Sequence, residues 1–302
     1  MCHGTDPPIR RDGGIDTDVL PHAGRVSHLS TAAALSRERR VAVAAGRLRA
    51  VTSSLPPSRS YEAIADRYEE ERGGTRRAKE MSEAAAKWVL PGSSILDVGA
   101  GTAIVTEQLR ALGYTAIPVD ISPSMLARAA TRFPGGVVRA DAQAIPIASG
   151  TFDAVLFAWS LHHVGDAVLA LCESRRVVTP TGRIVVISGR AQRHADDIAP
   201  WFDQILALRT DRGLDPDSIV ADAQSAGLEL EATDLTTGSF AQSPEHLAGQ
   251  IGRRLFAPLW ELDDQRFAEL AQPVIDGLLA LPEPDRPRPR PSRHPVVILR
   301  PR

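Results

Sequence analysis

Three aspartates in this chain stand where short apolar runs end: Asp97, Asp120 and Asp141. Each run is typical of a β-strand, and the first leads directly into the glycine turn 99–101. Ligands on open parallel sheets bind beyond the carboxyl ends of the strands. An acid in that position can accept hydrogen bonds from ribose hydroxyls. The pattern therefore predicts a nucleoside site at one edge of an open α/β sheet.

The turn also indicates which nucleoside ligand is excluded. A dinucleotide fingerprint, G-x-G-x-x-G, needs a third glycine where this chain has Ile104. Asp97 beside the turn would repel a pyrophosphate and suits a ligand that carries an ammonium group. An oxidoreductase with a nicotinamide cofactor is therefore the weaker alternative.

Strand and helix patterns alternate around these acids. The predicted strands are 94–98, 115–119, 137–140, 153–158 and 183–188, and the predicted helices are 76–89, 102–112, 123–132 and 166–178. Such alternation favours parallel strands with helices on both faces of the sheet. Beyond residue 190, helices are predicted at 196–210, 216–226, 244–255 and 262–280, and strands at 228–235 and 295–299.

Residues 95–103, together with Asp120 and 141–142, resemble the class I S-adenosylmethionine-dependent methyltransferases. The subtype they are most similar to is methyltransferase type 11, the UbiE-like branch that acts on small molecules. Further matching segments are 61–68, 152–158, 160–164 and 180–187. The resemblance implies a Rossmann-like, doubly wound seven-stranded sheet, mostly parallel with an antiparallel last strand, and a helical cover over the substrate side. The chain departs from the pattern at Ala103, where many relatives have a third glycine.

The resemblance also implies a set of cofactor-binding residues. They are Asp97, Gly99, Ala100, Gly101, Asp120, Ile121, Asp141, Ala142 and Ala158. In this assignment Asp120 accepts from both ribose hydroxyls and Asp141 accepts from the adenine amino group. Asp97 acts on the cofactor's ammonium group through the turn or through a water.

His162 and His163 follow the fourth predicted strand, where an acceptor would enter. An oxygen or carbon nucleophile can need a general base, and histidine suits that role near neutral pH. One of the two is the candidate base, and a histidine that only packs against the next helix is the alternative. A metal site of two histidines and Asp166 lacks an evident third ligand, so no metal is predicted.

Aromatic residues are the candidates for the acceptor side. Tyr61 and Tyr68 fall on one face of a predicted lid helix, and Trp159 is predicted to line the acceptor pocket. Its far wall is assigned to Trp201, Phe202, Phe256 and Trp260. The sequence predicts methyl transfer to O, N or C of a small, apolar or aromatic molecule. A protein that binds the cofactor without transfer, as a regulator or scaffold, is the alternative from another class.

Composition narrows the choice of partners and location. The formal net charge of −2 gives no field for a nucleic acid, and two cysteines make neither a disulfide framework nor a zinc site. Cys172 is predicted to lie in or near the core. No run approaches the roughly 18 apolar residues of a membrane helix. No secretory segment is evident, so a cytoplasmic protein is expected.

The predicted organisation has a leader and one domain. Residues 1–58 are predicted to be disordered, with a transit peptide as the alternative. Residues 59–302 form the predicted domain, with a cofactor-binding core at 59–190 and cover helices plus a final strand pair at 191–302. The Pro/Arg run 282–293 is interpreted as a solvated linker, in preference to a nucleic-acid contact.

Overall fold

The computed structural model describes residues 61, 65, 67–71, 73–188, 196–208, 215–260 and 262–302; the predicted leader 1–58 lies outside them. The strands are β1 Ser94–Val98, β2 Thr115–Asp120, β3 Val138–Arg139, β4 Phe152–Ala158, β5 Val178–Ile187, β6 Leu228–Gln242 and β7 Arg288–Pro301. The helices are α1 Tyr68–Glu71, α2 Gly74–Ala86, α3 Ile104–Ala111, α4 Pro123–Arg132, α5 Ala167–Val177, α6 Ala199–Leu206, α7 Pro216–Ser225, α8 Pro244–Gly252, α9 Asp264–Leu270 and α10 Gln272–Leu279. Short 3-10 turns lie at Leu161–His163 and Ala257–Leu259.

The seven strands form a single sheet in the order β3-β2-β1-β4-β5-β7-β6. The first five run parallel, and β7 is antiparallel to both β5 and β6. The predicted fold, mostly parallel with an antiparallel last strand, is confirmed. The strand order reverses at the β1/β4 pair, so the carboxyl ends of these strands border the crevice where such sheets bind ligands.

The central strands are buried because helices cover both faces of the sheet. Alternate side chains of β1 show this: Leu96 and Val98 pack in one apolar cluster, and Ile95 packs in the other. All five residues of β1 are buried. A strand buried on both faces is mostly apolar, and Ile95, Leu96 and Val98 supply this signal in the sequence.

One predicted helix, 262–280, is two helices in the structure. The helices α9 and α10 meet at Ala271, which caps both. Pro273 lies in the first turn of α10. Proline lacks the N–H that a continuous helix needs and is favoured at a helix start, so the chain begins a new helix there.

The interpretation of 282–293 as a solvated linker is wrong for its second half. From Arg288 the chain forms β7, and Arg290 is only 2% exposed. Its guanidinium donates to Asp196 at 2.9 Å and to Gln242 at 2.7 Å. Pro289 and Pro291 lie where β6 is the only described strand paired with β7. Proline is tolerated at such an edge, so proline content here did not exclude a strand.

The prediction that Cys172 is a core thiol is also wrong. Cys172 is exposed on α5, whereas its neighbours Leu171 and Ser174 are buried. One face of an amphipathic helix packs against the sheet and the next residue along points away.

The C-terminal helices α6, α8, α9 and α10 share a separate apolar cluster that includes Leu247, Ile251 and Val274. Trp260, in the same C-terminal part of the chain, contacts the ring of Tyr61, and the two ring centroids are 5.0 Å apart. Within the described residues, no helix combines the length and apolar character that crossing a membrane requires.

Candidate cofactor and acceptor site

A cavity of about 290 Å³ opens beyond the carboxyl ends of β1, β2, β3 and β4. The predicted site residues that line it are Tyr61, Tyr68, Gly99, Ala100, Gly101, Asp120, Ile121, Asp141, Ala142, Ala158, Trp159 and His163. Two predicted site residues, Asp97 and His162, are not among the residues that line it. The fold therefore brings most of the predicted cofactor, lid and catalytic residues to one cavity.

The glycine turn is fixed by contacts on two sides. The backbone N–H groups of Gly99 and Ala100 donate to the carbonyl of Val119 at 2.8 and 3.0 Å. The Ser160 hydroxyl donates to the carbonyl of Val98 at 2.5 Å. Gly99 has φ 71°, and a Cβ on it would lie 2.3 Å from the Cβ of Ser160. Only glycine fits here, because both the backbone angle and the space exclude a side chain.

Ala103, the departure from the relatives' pattern, has the conformation that glycine favours. Its φ is 61°, and its side chain is fully buried against Leu126, Ala129 and Phe133. The left-handed conformation costs a residue with a Cβ roughly 1–2 kcal/mol. Contact of the methyl group with this cluster offsets part of that cost.

Asp120 and Asp141 are oriented by neighbouring donors. The Asp120 carboxylate accepts from the backbone N–H groups of Gly101 at 2.7 Å and Ser122 at 2.8 Å. The Asp141 carboxylate accepts from the backbone N–H of Gln143 at 2.9 Å. The side-chain amide of Gln143 also donates to the Asp141 carboxylate, at 3.1 Å, so backbone and side-chain donors fix the orientation of both acids.

Asp97 lies below the turn and is 1% exposed. Its carboxylate accepts from the Thr106 hydroxyl at 2.7 Å. Burial raises the pKa of Asp97 to about 7; the hydrogen bond from Thr106 opposes this rise and the charge of Asp120 adds to it. Asp97 is enclosed beneath the turn and does not line the cavity.

This shift predicts a pH dependence of stability that Asp97→Asn should remove. Because the folded-state pKa lies above the unfolded one, the stabilisation is fully present below about pH 4 and is lost as pH rises through about 7. The Asn variant should match the wild type near pH 4 and exceed it by ~1–4 kcal/mol near pH 8. Urea unfolding at the two pH values measures this. A difference between the proteins that does not change with pH would contradict it.

Aromatic side chains also line the cavity. The Tyr61 ring lies edge-on to Tyr68, with centroids 6.0 Å apart, and to His163, with centroids 5.4 Å apart. The His162 ring is 3.9 Å from that of His163 but is outside the cavity lining. Of the two candidate bases, only His163 lines the cavity.

The predicted far wall is different in the structure. Trp201, Phe202 and Phe256 pack in the C-terminal helical cluster, and Trp260 contacts the outside of Tyr61. None of these four lines this cavity. The wall is instead formed by α2.

Sequence reasoning missed Arg77 and Ser160, both of which line the cavity. A signal for α2 was available: Gly74, Ala78 and Met81 recur at helical spacing and all three line the cavity. Arg77 precedes Ala78 on that face. No sequence signal pointed to Ser160, because its contact with Gly99 depends on how β4 lies beside β1.

Sequence reasoning also missed Arg132, which lies at the end of α4 and connects α1 to the loop that follows the glycine turn. Its guanidinium pairs with Glu69 at 2.7 Å and Glu107 at 3.1 Å, and donates to the carbonyl of Thr102 at 3.2 Å. Glu69 is part of α1 and lines the cavity. One side chain therefore connects α1 to the loop that follows the glycine turn.

Sequence comparison identifies a methyltransferase domain within this fold. Residues 96–186 match the family described as "Methyltransferase domain". S-adenosylmethionine (SAM) is the cofactor of this domain.

A similar sequence is the demethylmenaquinone methyltransferase of Mycolicibacterium paratuberculosis. It is 43% identical over 97 residues, which is 32% of this chain and 41% of that protein. A second such enzyme, from a Mycobacterium species, is 36% identical over 130 residues, which is 42% of this chain and 56% of that protein. The alignments thus span about half the length of the curated relatives that the chain matches.

Solved structures share the fold at low sequence identity. A Bacillus halodurans protein described as a methyltransferase matches with a TM-score of 0.52 and 18% identity, covering 76% of this chain and 100% of that chain. The [4+2]-cyclase SpnF matches with a TM-score of 0.52 and 16% identity, covering 82% of this chain and 99% of that chain. A cyclase among the neighbours shows that this fold alone does not fix the reaction.

Proposed function

We propose that the protein transfers the methyl group of SAM to an O, N or C atom of a small, apolar or aromatic molecule. The observation that carries the proposal is that the glycine turn, two strand-end acids and the side chains of Tyr61, Tyr68 and His163 all line the same cavity. The turn and the acids suit a nucleoside with an ammonium group, and the aromatic rings suit a flat acceptor. The domain extends over residues 59–302 in this proposal.

The residues assigned to the cofactor have the roles that the resemblance implies. Asp120 accepts from the ribose hydroxyls and Asp141 from the adenine amino group. Asp97 attracts the ammonium group through the turn above it. SAM, when bound, would supply an electrophilic methyl group on its sulfonium, with neutral S-adenosylhomocysteine as the leaving group. The protein aligns the acceptor with it and excludes water.

Relatives in the curated set are named demethylmenaquinone methyltransferases. A planar ring would fit the aromatic side chains of this cavity, which supports an aromatic acceptor. No nucleic acid is proposed as a partner. The cytoplasmic location stays a prediction.

Calorimetry with SAM and S-adenosylhomocysteine tests the proposal directly. Micromolar affinity for both ligands is expected, and turnover in an acceptor panel would follow as release of S-adenosylhomocysteine. Absence of binding to either ligand would contradict the proposal. Binding of both without turnover across a broad panel would favour the regulator or scaffold instead.

Asp120→Ala should weaken SAM binding by about 1–3 kcal/mol, through lost hydrogen bonds to the ribose. The same change removes the acceptor for the Gly101 and Ser122 N–H groups, so part of the loss reflects a less ordered turn. Calorimetry gives the affinity, and thermal unfolding of the unliganded variant separates the two causes. Unchanged affinity would remove Asp120 from the site.

A further inference from the structure

The helix α1 is one short turn that forms part of the cavity wall through Tyr68 and Glu69. None of its four residues is buried, so it has no apolar anchor of its own in the core. A helix of this length does not form by itself, because isolated helices shorter than about 12–15 residues are marginal in water. The position of this part of the wall therefore depends on polar contacts from other parts of the chain.

The contact from the C-terminal helices is made by Gln250 of α8. Its side-chain amide donates to the backbone carbonyl of Glu71, the last residue of α1, at 2.7 Å. Carbonyl groups at the end of a helix have no N–H partner within that helix, so this bond caps α1 from outside. Gln250 is only 4% exposed. A hydrogen bond between buried groups is costly to lose, because the remaining partner is left unsatisfied.

A chain of hydrogen bonds behind Gln250 fixes the direction in which its amide points. The guanidinium of Arg290 can only donate, and it donates to the side-chain oxygen of Gln242 at 2.7 Å. The side-chain nitrogen of Gln242 therefore faces Gln250 and donates to its oxygen at 2.9 Å. With its oxygen engaged, Gln250 presents its nitrogen to the carbonyl of Glu71. Turning either amide over would break two of these bonds.

The far end of this chain is anchored at the start of α6. Arg290 pairs with Asp196 at 2.9 Å, and both side chains are largely buried. The other oxygen of the Asp196 carboxylate accepts from the backbone N–H groups of Ile198 and Ala199 at 3.1 and 2.7 Å. Asp196 therefore binds β7 and the first turn of α6 at once. The hydrogen-bonded chain joins α6, β7, β6 and α8 to α1.

We propose that Gln250 is a positioning residue that holds α1 against the C-terminal helices and so fixes the wall formed by Tyr68 and Glu69. Gln250 does not line the cavity and acts through the carbonyl of Glu71. Its effect on ligand binding rests on the proposed function, whereas its effect on α1 does not. A cavity that lacks this wall part of the time binds its ligand more weakly, in proportion to the fraction of molecules in which α1 is docked.

Hydrogen exchange of the α1 amides in the ligand-free, full-length protein tests the proposal. The Glu71 amide donates to the carbonyl of Arg67 at 3.0 Å, and in the wild type it should exchange more slowly than an unstructured amide. Gln250→Glu keeps the length of the side chain and an oxygen for Gln242 but removes the donor to Glu71. Exchange in α1 should become about tenfold faster or more, the factor that corresponds to one buried hydrogen bond. Gln250→Met also lacks the donor, adds no charge and should have the same effect.

Gln272→Glu is the matched control. Gln272 is exposed on α10, and its side-chain amide donates to the carboxylate of Asp276 at 2.8 Å. The same substitution there also places two acids side by side, but it leaves the contacts of α1 intact. Exchange in α1 should equal that of the wild type. Urea unfolding of each variant separates a local release of α1 from a loss of stability in the whole domain.

Calorimetry with S-adenosylhomocysteine gives the second measurement. Its affinity should fall by about threefold or more in both Gln250 variants and should not change in Gln272→Glu. An unprotected Glu71 amide in the wild type would overturn the proposal, and this measurement needs no variant to fold. Unaltered α1 exchange in both Gln250 variants, or equal acceleration in Gln272→Glu, would overturn it as well. Failure of the wild type to bind S-adenosylhomocysteine would instead contradict the proposed function, and the ligand-free exchange results would still decide the role of Gln250.

Discussion

Gly99→Ala is expected to lower the free energy of unfolding by about 2–5 kcal/mol. Two costs combine: roughly 1–2 kcal/mol for a Cβ at left-handed φ and roughly 1–3 kcal/mol for forcing atoms into filled space. The new Cβ would lie 2.3 Å from the Cβ of Ser160, whose hydroxyl is bonded to the carbonyl of Val98. The turn and the end of β4 must therefore separate. Urea unfolding measures the loss, and cofactor affinity should fall with it.

Gly101→Ala is the matched control for this prediction. Gly101 also has a left-handed φ, of 58°, but its new Cβ would have no neighbour nearer than the sulfur of Met125 at 4.0 Å. The Gly101→Ala variant should lower the free energy of unfolding only by the backbone cost, roughly 1–2 kcal/mol. Adding Ser160→Gly to Gly99→Ala should restore part of the stability, because it removes the colliding atom. Equal losses in the two single variants would show that the contact with Ser160 is unimportant.

His163→Ala is expected to slow methyl transfer by about 10²-fold or more, the usual contribution of a general base. His163 lines the cavity beside Tyr61, at the end of β4 where an acceptor meets the cofactor. The rate of S-adenosylhomocysteine release with an accepted substrate measures the effect. The variant should also lose the acidic limb of the pH–rate profile, which a purely structural histidine would not remove.

His162→Ala separates a base from a packing residue. His162 is adjacent in sequence and its ring is 3.9 Å from that of His163, but it does not line the cavity. The His162→Ala variant should keep most of the methyl-transfer activity and the acidic limb of the pH–rate profile. An unaffected rate in His163→Ala would mean that transfer proceeds by alignment of the reactants alone.

The strands that build the candidate cofactor site could be predicted from the sequence because they are short, mostly apolar runs with an aspartate at or near the end of each. For β1 the predicted and observed bounds coincide, and α4 begins at the predicted residue because Ser122 caps it and Pro123 follows. The resemblance implied a doubly wound, mostly parallel sheet with an antiparallel last strand, which the observed sheet confirms, whereas the strand order itself was not predicted.

The prolines of β7 led to the wrong prediction of a solvated linker. The cost of a proline in a strand depends on whether another strand lies on the side of the missing N–H. That neighbour is set by the strand order and not by local sequence. The same reason explains Arg290: only a partner such as Asp196, 94 residues earlier in the chain, makes a buried arginine acceptable.

The sequence by itself determined the order of strands and helices, the glycine turn and the acids beside it, because these follow from local periodicity and from residue chemistry. Tertiary structure alone decided which side chains meet across the cavity. It placed Ser160 against Gly99, Arg77 over Trp159 and Arg132 between the lid and the turn. Each of these contacts joins segments that are distant in the chain. The physical reason is that sheet pairing and helix packing, and not sequence spacing, set the distances between them.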